Sequence, residues 1–280
     1  MNLKMLLAAA AASMIAGGAI AQTASEWRTV APENLMVIDT SQGRVLVELE
    51  PRAAPNHIER IRTLTSRGFY DGLKFHRVIP NFMAQTGDPQ GTGAGGSDLP
   101  NLKGEFSFRR GRDSGFVAVE NSGPGLRGVM GSLPIATQPD AQMFVTSDLK
   151  VDASGMFCPG VAGMARAGSP DSANSQFFLM TGQNDNLNGG YTTFGRVVQG
   201  LEVVKALKAG TDAEDGKVAD PDVMTRVQMA SALPEGQRPT VRVAVPGSAP
   251  FNAAVEAARS ARGAQFSICD VQPVVEVVGG

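Results

Sequence analysis

The chain is poor in the residues that metal and thiol chemistry need, with two histidines (His57 and His76) and two cysteines (Cys158 and Cys269) in 280 residues. So few histidines leave little for a zinc or iron site, and no metal and no cofactor are expected. The cysteines lack C-x-x-C spacing, which excludes a thioredoxin-like redox centre. In an oxidising compartment they would permit one long-loop disulfide, and two buried free thiols are the alternative reading. An excess of one charge sign is also missing: 25 Lys and Arg stand against 27 Asp and Glu, with no run of four basic residues. Electrostatic binding to nucleic acid or anionic lipid is therefore not expected.

There is one long uncharged run. Met5 to Ala21 follows Lys4, is built mostly of Ala, Leu, Met and Ile, and ends Ala19-Ile20-Ala21 before Gln22. This order of basic, apolar and small residues reads as a secretory signal peptide, residues 1–21, cut after Ala21. Its seventeen residues include two glycines and precede no stop-transfer cluster, so it reads poorly as an anchor. A soluble, monomeric mature chain is expected, in the periplasm of a bacterium and without stable membrane insertion.

What is abundant is glycine and proline, 33 and 17 residues, nearly a fifth of the chain against a usual ~12%. With balanced charge this points to a loop-rich globular protein with a sizeable core. After a polar leader, 22–34, two apolar β-branched runs (35–40 and 44–50) flank a Gly43 turn and read as a hairpin. Pro55 suits the first turn of a helix carrying Ile58, Ile61 and Leu64 and stopping at Gly68. Strands are expected at 73–79, 82–86, 161–165, 176–181, 192–198 and 223–229, and a second helix at 200–209. Many short strands and two helices argue for a mainly β, closed barrel rather than a βαβ sheet. Residues 106–157 show no clean periodicity and read as a long loop insertion. Residues 233–280 read as a small β-α-β appendage: strand 241–245, helix 251–262 and strand 266–278.

Gly91-Thr92-Gly93-Ala94-Gly95-Gly96 matches the dinucleotide-binding pattern G-x-G-x-x-G, but Pro100 follows too soon for the helix that pattern must open. A flexible loop is expected instead. The stretch just before it, Phe75-His76-Arg77-Val78-Ile79-Pro80-Asn81-Phe82-Met83-Ala84-Gln85-Thr86-Gly87-Asp88, resembles the first signature of the cyclophilin family of peptidyl-prolyl isomerases. Met164-Ala165-Arg166-Ala167 with Asp171-Ser172-Ala173-Asn174-Ser175-Gln176-Phe177-Phe178 resembles the second signature in its bacterial form. The resemblance spans 35–232. It implies a closed antiparallel eight-stranded barrel capped by two helices, and rotation about X–Pro bonds in proline-containing unfolded or folding polypeptides.

That reaction breaks no bond. It needs a grip on the peptide, an apolar cup for the proline ring, and a fixed donor near an amide nitrogen that gains lone-pair character as the bond twists. By resemblance Arg77 is the catalytic guanidinium. Phe82, Met83, Phe178 and Leu187 line the proline pocket, which Tyr191 closes, although by periodicity alone such apolar residues read as core. Gln85 and Gln176 are either substrate-binding or satisfied core amides. Ala165, Arg166 and Ala167 match the segment that pairs its backbone with the peptide. His76 is expected to support the local fold, and His57 to lie on the surface of the first helix. Asn186 stands where many eukaryotic relatives carry Trp, which implies weak cyclosporin binding. A proline-peptide chaperone with lost catalysis is the alternative function, and an oxidoreductase the reading of the Gly-rich pattern alone.

Overall fold

The computed structural model describes residues 25–279, so the expected signal segment and the first residues of the leader lie outside the described residues. The chain runs through β1 (Trp27–Thr29), β2 (Leu35–Thr40), β3 (Gly43–Leu49), α1 (Pro55–Ser66), β4 (Arg77–Ile79) and β5 (Met83–Thr86). The next five strands are β6 (Phe108–Arg110), β7 (Val117–Ser122), β8 (Gly125–Met130), β9 (Leu133–Thr137) and β10 (Val151–Gly155). Then come β11 (Val161–Met164), β12 (Phe177–Met180), β13 (Thr193–Gln199), α2 (Leu201–Ala206), β14 (Met224–Met229), β15 (Thr240–Ala244), α3 (Ala249–Arg262) and β16 (Val275–Val278). No helix among the described residues is long and apolar enough to cross a membrane.

Eight of these strands form the main antiparallel sheet in the order β14-β2-β3-β13-β11-β12-β5-β4. It is a curled sheet rather than the continuous closed barrel expected. The segment facing β4 carries Gly210, Gly216 and Pro221 and folds as turns, so no ladder forms there. Single bonds tie the two edges instead: Phe75 N–H to Asp222 O (2.9 Å), Val218 N–H to His76 O (3.0 Å) and Val78 N–H to Gly216 O (2.8 Å). Inside the curl, Ile38, Val47, Phe177 and Phe194 pack against Ile58, Ile61 and Leu64 of α1.

Helix α1 starts at Pro55, and Ala54 offers it no side-chain cap. The cap comes from Glu105, far along the chain, whose carboxylate accepts the backbone N–H groups of Asn56 (3.2 Å) and His57 (3.1 Å). The same carboxylate meets His57 Nδ1 at 2.7 Å. His57, expected at the surface, is therefore fully buried with a partner.

The insertion is not a loop. Strands β6 to β10 form a second antiparallel sheet in the order β6-β10-β9-β8-β7. Its strands are three to six residues long, too short for a period-two pattern to stand out, and the glycines that obscured them occupy the turns (Gly123 at φ 57°, Gly131 at φ 65°). The tail forms a third sheet, β1-β15-β16, in which the polar leader supplies the outer strand, with Trp27 opposite Ala244. The expected strand 266–278 shrinks to Val275–Val278, because Ile268–Asp270 is a 3-10 turn and Pro273 donates no ladder bond.

Insertion, tail and main sheet share a second core that includes Met83 and Phe178 from the sheet, Leu133, Ile135 and Phe157 from the insertion, and Phe251 and Ile268 from the tail. Cys158 and Cys269 are joined by a disulfide across this core. Arg196 of β13 is buried at the same junction and donates to Ser132 O (3.2 Å), Val271 O (2.8 Å) and Pro159 O (3.4 Å). Burial pushes its pKa down to about 9, so the charge persists at neutral pH.

Candidate active site

Strand register builds the site. Arg77 on β4 lies opposite Gln85 on β5, Gln85 opposite Phe178 on β12, and Phe178 opposite Gly163 on β11. Four residues separated by up to 101 positions thus form one cross-strand row. Gly163 is required at its end, since a Cβ there would sit 2.5 Å from the Phe157 ring and 2.7 Å from the Phe178 ring.

The row opens into a cavity of about 130 Å³ lined by Arg77, Phe82, Met83, Gln85, Ala165, Arg166, Phe178, Leu187 and Tyr191. Ala167 and Gln176, the other two peptide-binding candidates, lie in an adjoining cavity of about 570 Å³ that shares Gln85, Ala165 and Arg166 with the first. Six of the nine residues lining the smaller cavity are apolar or aromatic, and Arg77, Gln85 and Arg166 supply its polar groups. Phe178 meets Phe157 at 5.6 Å between ring centroids, and Tyr191 stands edge-on to both at 6.1 and 6.4 Å.

Phe157 escaped the sequence reading because it falls in the stretch taken for a loop, and no local signal marks it. It also holds the Leu187 loop: its N–H donates to Asn188 Oδ1 (2.9 Å), and its carbonyl accepts from the Asn184 N–H (3.0 Å). The insertion therefore backs the cavity wall, with Phe157 packed behind Phe178 and Tyr191.

The guanidinium of Arg77 is held on two sides. Its Nε donates to Asp215 O and its Nη2 to Asp215 Oδ1, both at 2.9 Å, while Nη1 reaches Gln85 Oε1 at 3.3 Å. This contact with Arg77 holds the Asp215 carboxyl below the usual carboxylate range. Asp215 shows in the sequence only as an Asp-Gly turn.

Gln85 Nε2 then donates to Gln176 Oε1 (2.9 Å), and Gln176 Nε2 donates to Gly93 O (3.0 Å) and Gly95 O (2.7 Å). The two glutamines satisfy each other and dock the Gly-rich loop. That loop wraps one buried carboxylate, Asp88, which accepts N–H groups from Gln90 (2.9 Å), Thr92 (2.8 Å), Gly93 (2.6 Å) and Gly95 (3.2 Å). Burial alone would raise the Asp88 pKa; these bonds outweigh it and bring it to about 2. A Cβ on Gly95 would lie 2.0 Å from Asp88 Oδ1. Within the G-x-G-x-x-G pattern the amides of Thr92, Gly93 and Gly95 thus serve a carboxylate of this chain and are not free for a pyrophosphate.

His76 packs under Gly93 with its ring buried, and burial lowers its pKa, so it is neutral at neutral pH. Neither His76 nor His57 lines the small cavity. Among the described residues no three His, Cys, Asp or Glu side chains gather as metal ligands would.

Residues 35–229 match the family model "Cyclophilin type peptidyl-prolyl cis-trans isomerase/CLD". A "Probable peptidyl-prolyl cis-trans isomerase" of Brucella suis is 36% identical over 231 residues, covering 79% of this chain and 92% of its own. A "Peptidyl-prolyl cis-trans isomerase-like 1" of Aspergillus oryzae is 32% identical, covering 72% and 97%. The crystal structure of cyclophilin AquaCyp293 from Hirschia baltica superposes with a TM-score of 0.81 at 33% identity, covering 90% of this chain and 94% of the other. That share extends well beyond the 35–229 stretch.

Proposed function

The chain belongs to the cyclophilin-type peptidyl-prolyl cis-trans isomerases, and from that premise we propose that it turns X–Pro bonds at the Arg77 cavity in exported, folding polypeptides. The observation that carries this reading is a clamped guanidinium at the rim of a small apolar cup.

Rotation about the amide bond meets a barrier of ~18–20 kcal/mol because nitrogen shares its lone pair with the carbonyl. As the bond twists, the lone pair returns to nitrogen and becomes a hydrogen-bond acceptor. A donor aimed there stabilises the twisted state more than either planar one. Arg77 is permanently charged, and Asp215 and Gln85 set its orientation before substrate arrives. Met83, Phe178 and Leu187 hold the proline ring while the carbonyl side swings, and Ala165 to Ala167 lie along the neighbouring edge for the peptide backbone. NMR exchange spectroscopy on an Ala-Pro peptide tests this: Arg77→Ala should lower the catalysed rate at least tenfold, and equal rates would sink the proposal.

Export rests on the segment 1–21. We expect the protein in the periplasm with Gln22 as its first residue, and as a monomer. N-terminal sequencing of protein from a periplasmic extract checks the first point and sedimentation the second.

One observation favours client holding beside catalysis. The tip of the insertion exposes Phe144 (69%), Val145 (86%) and Leu149 (62%) on a turn pinned by Arg109 to Asp148 and Asp152. If this tip retains clients, replacing Phe144 and Val145 by Ser weakens aggregation suppression while isomerase activity persists.

A further inference from the structure

The larger of the two adjoining cavities has a single charged residue in its wall, Arg166, among neutral neighbours such as Gln85, Ser97, Asn101, Asn174 and Gln176. Arg166 also lines the proline cup, so its guanidinium stands at the junction of the two cavities. Its position is fixed before any ligand arrives. Nε donates to Gly190 O (2.9 Å), Nη1 donates to Ala167 O (2.9 Å), and the plane lies 4.3 Å from the Tyr191 ring centroid.

The two arginines of the site differ in one respect. Arg77 is neutralised by Asp215, whereas Arg166 donates only to carbonyl oxygens and stacks on Tyr191, and among the described residues no carboxylate pairs with it and its Nη2 donates to no acceptor. A groove with one uncompensated, pre-oriented guanidinium attracts carboxylates and repels ammonium groups. Stacking and the two carbonyl bonds have already removed most of the side chain's freedom, so capturing a carboxylate costs little further entropy.

We propose that Arg166 makes this isomerase selective for proline peptides bearing an Asp or Glu within two residues of the proline, the carboxylate docking on the free Nη2 edge. This rests on the isomerase reading above and adds a substrate class to it.

The test is a peptide series in which the residue two before proline, and separately the residue just after it, is Glu, Gln or Lys. Catalysed exchange is followed by NMR at low and high salt. In at least one series kcat/KM for the Glu peptide should exceed that for the Lys peptide about tenfold, mainly through KM, and the ratio should shrink towards one in 0.5 M salt. Arg166→Gln should collapse the ratio, and Arg166→Lys should restore part of it. Equal kcat/KM for all three peptides in both series, or a ratio untouched by Arg166→Gln and by salt, overturns the proposal. Turnover of the neutral Gln peptide reports on the enzyme itself: its presence without charge selectivity refutes this inference alone, and its absence for every peptide refutes the isomerase reading as well. The salt arm uses only the wild-type chain, so it decides even if the variants do not fold.

Discussion

Asp215 grips Arg77 twice, once through its backbone oxygen on Nε and once through its carboxylate on Nη2. It does so from a left-handed turn (φ 51°) followed by Gly216, where a Cβ would lie 2.3 Å from the Ile79 side chain. The turn is pressed against β4, so the main-chain bond persists with any residue that accepts this left-handed conformation, Asn above all. The carboxylate's part can therefore be separated from the turn's.

Asp215→Ala should lower kcat/KM about two- to fivefold, a modest loss because the pair is exposed to solvent, and should also lower thermal stability because Ala fits the left-handed turn less well than Asp. Asp215→Asn should recover part of the loss by restoring an acceptor. Because Arg77 depresses the Asp215 pKa, the carboxylate stays ionised through neutral pH. Its contribution should vanish only as pH falls below the ordinary carboxylate range. A pH–rate profile in which wild type and Asp215→Asn differ equally at all pH values would contradict this.

Asp88 organises the Gly-rich loop. Its folded pKa of about 2 lies below the ordinary 3.8, so its stabilisation is complete above about pH 4 and lost as pH falls through the folded value. The shift corresponds to something on the order of 2 kcal/mol. Asp88→Asn should lower stability by about that much in urea unfolding at pH 7, and should loosen the Gln176 contacts with Gly93 and Gly95. Unchanged amide exchange of residues 90–95 in the variant would refute the role.

Glu105 caps a helix it does not belong to. Burial would raise its pKa, but bonds from the His57 ring and from the backbone and side chain of this helix start outweigh that and hold it below the usual range. Glu105→Ala should destabilise the fold by about 1–2 kcal/mol at neutral pH, the scale of a lost N-cap with its favourable helix-dipole contact. The difference from wild type should close as pH falls through the depressed pKa of Glu105, which chemical denaturation at pH 7 and pH 3 can measure.

The Cys158–Cys269 bridge closes a loop of sequence separation 111. Its reduction should cost about 2–4 kcal/mol and lower Tm by about 5–15 °C. Because Cys158 follows Phe157, which packs behind Phe178 and Tyr191 of the cavity wall, reduction should also weaken peptide binding. Calorimetry and exchange rates with and without dithiothreitol check both effects; a Tm insensitive to reductant would count against the first.

Much of the site was legible because its parts are contiguous in sequence. Arg77, Phe82, Met83 and Gln85 fall within nine residues of one hairpin, and Gln176 stands just before and Phe178 within β12, so a local motif names them together. Phe157 was not legible, because it belongs to the site only through a core assembled from three distant segments. Nor was the burial of His57, which depends on Glu105 arriving from 48 positions away. The second sheet was hidden for another reason: strands of three to six residues among turn glycines carry too few alternations to reveal a period.

By itself, then, the sequence determined what is local: the first hairpin around Gly43, the helix from Pro55 to its stop before Gly68, the strands of the two signature stretches, and the residue types that line the small cavity. Tertiary structure decided what is made by partners far apart. It turned a dinucleotide-like glycine loop into a wrapping for Asp88, placed the Asp215 turn on Arg77, and packed insertion and tail into one core with Met83 and Phe178 of the cavity wall. Backbone preferences act over a few residues and can be read in order, whereas a buried carboxylate or a ring in a shared core takes its role from whichever segments the fold brings against it.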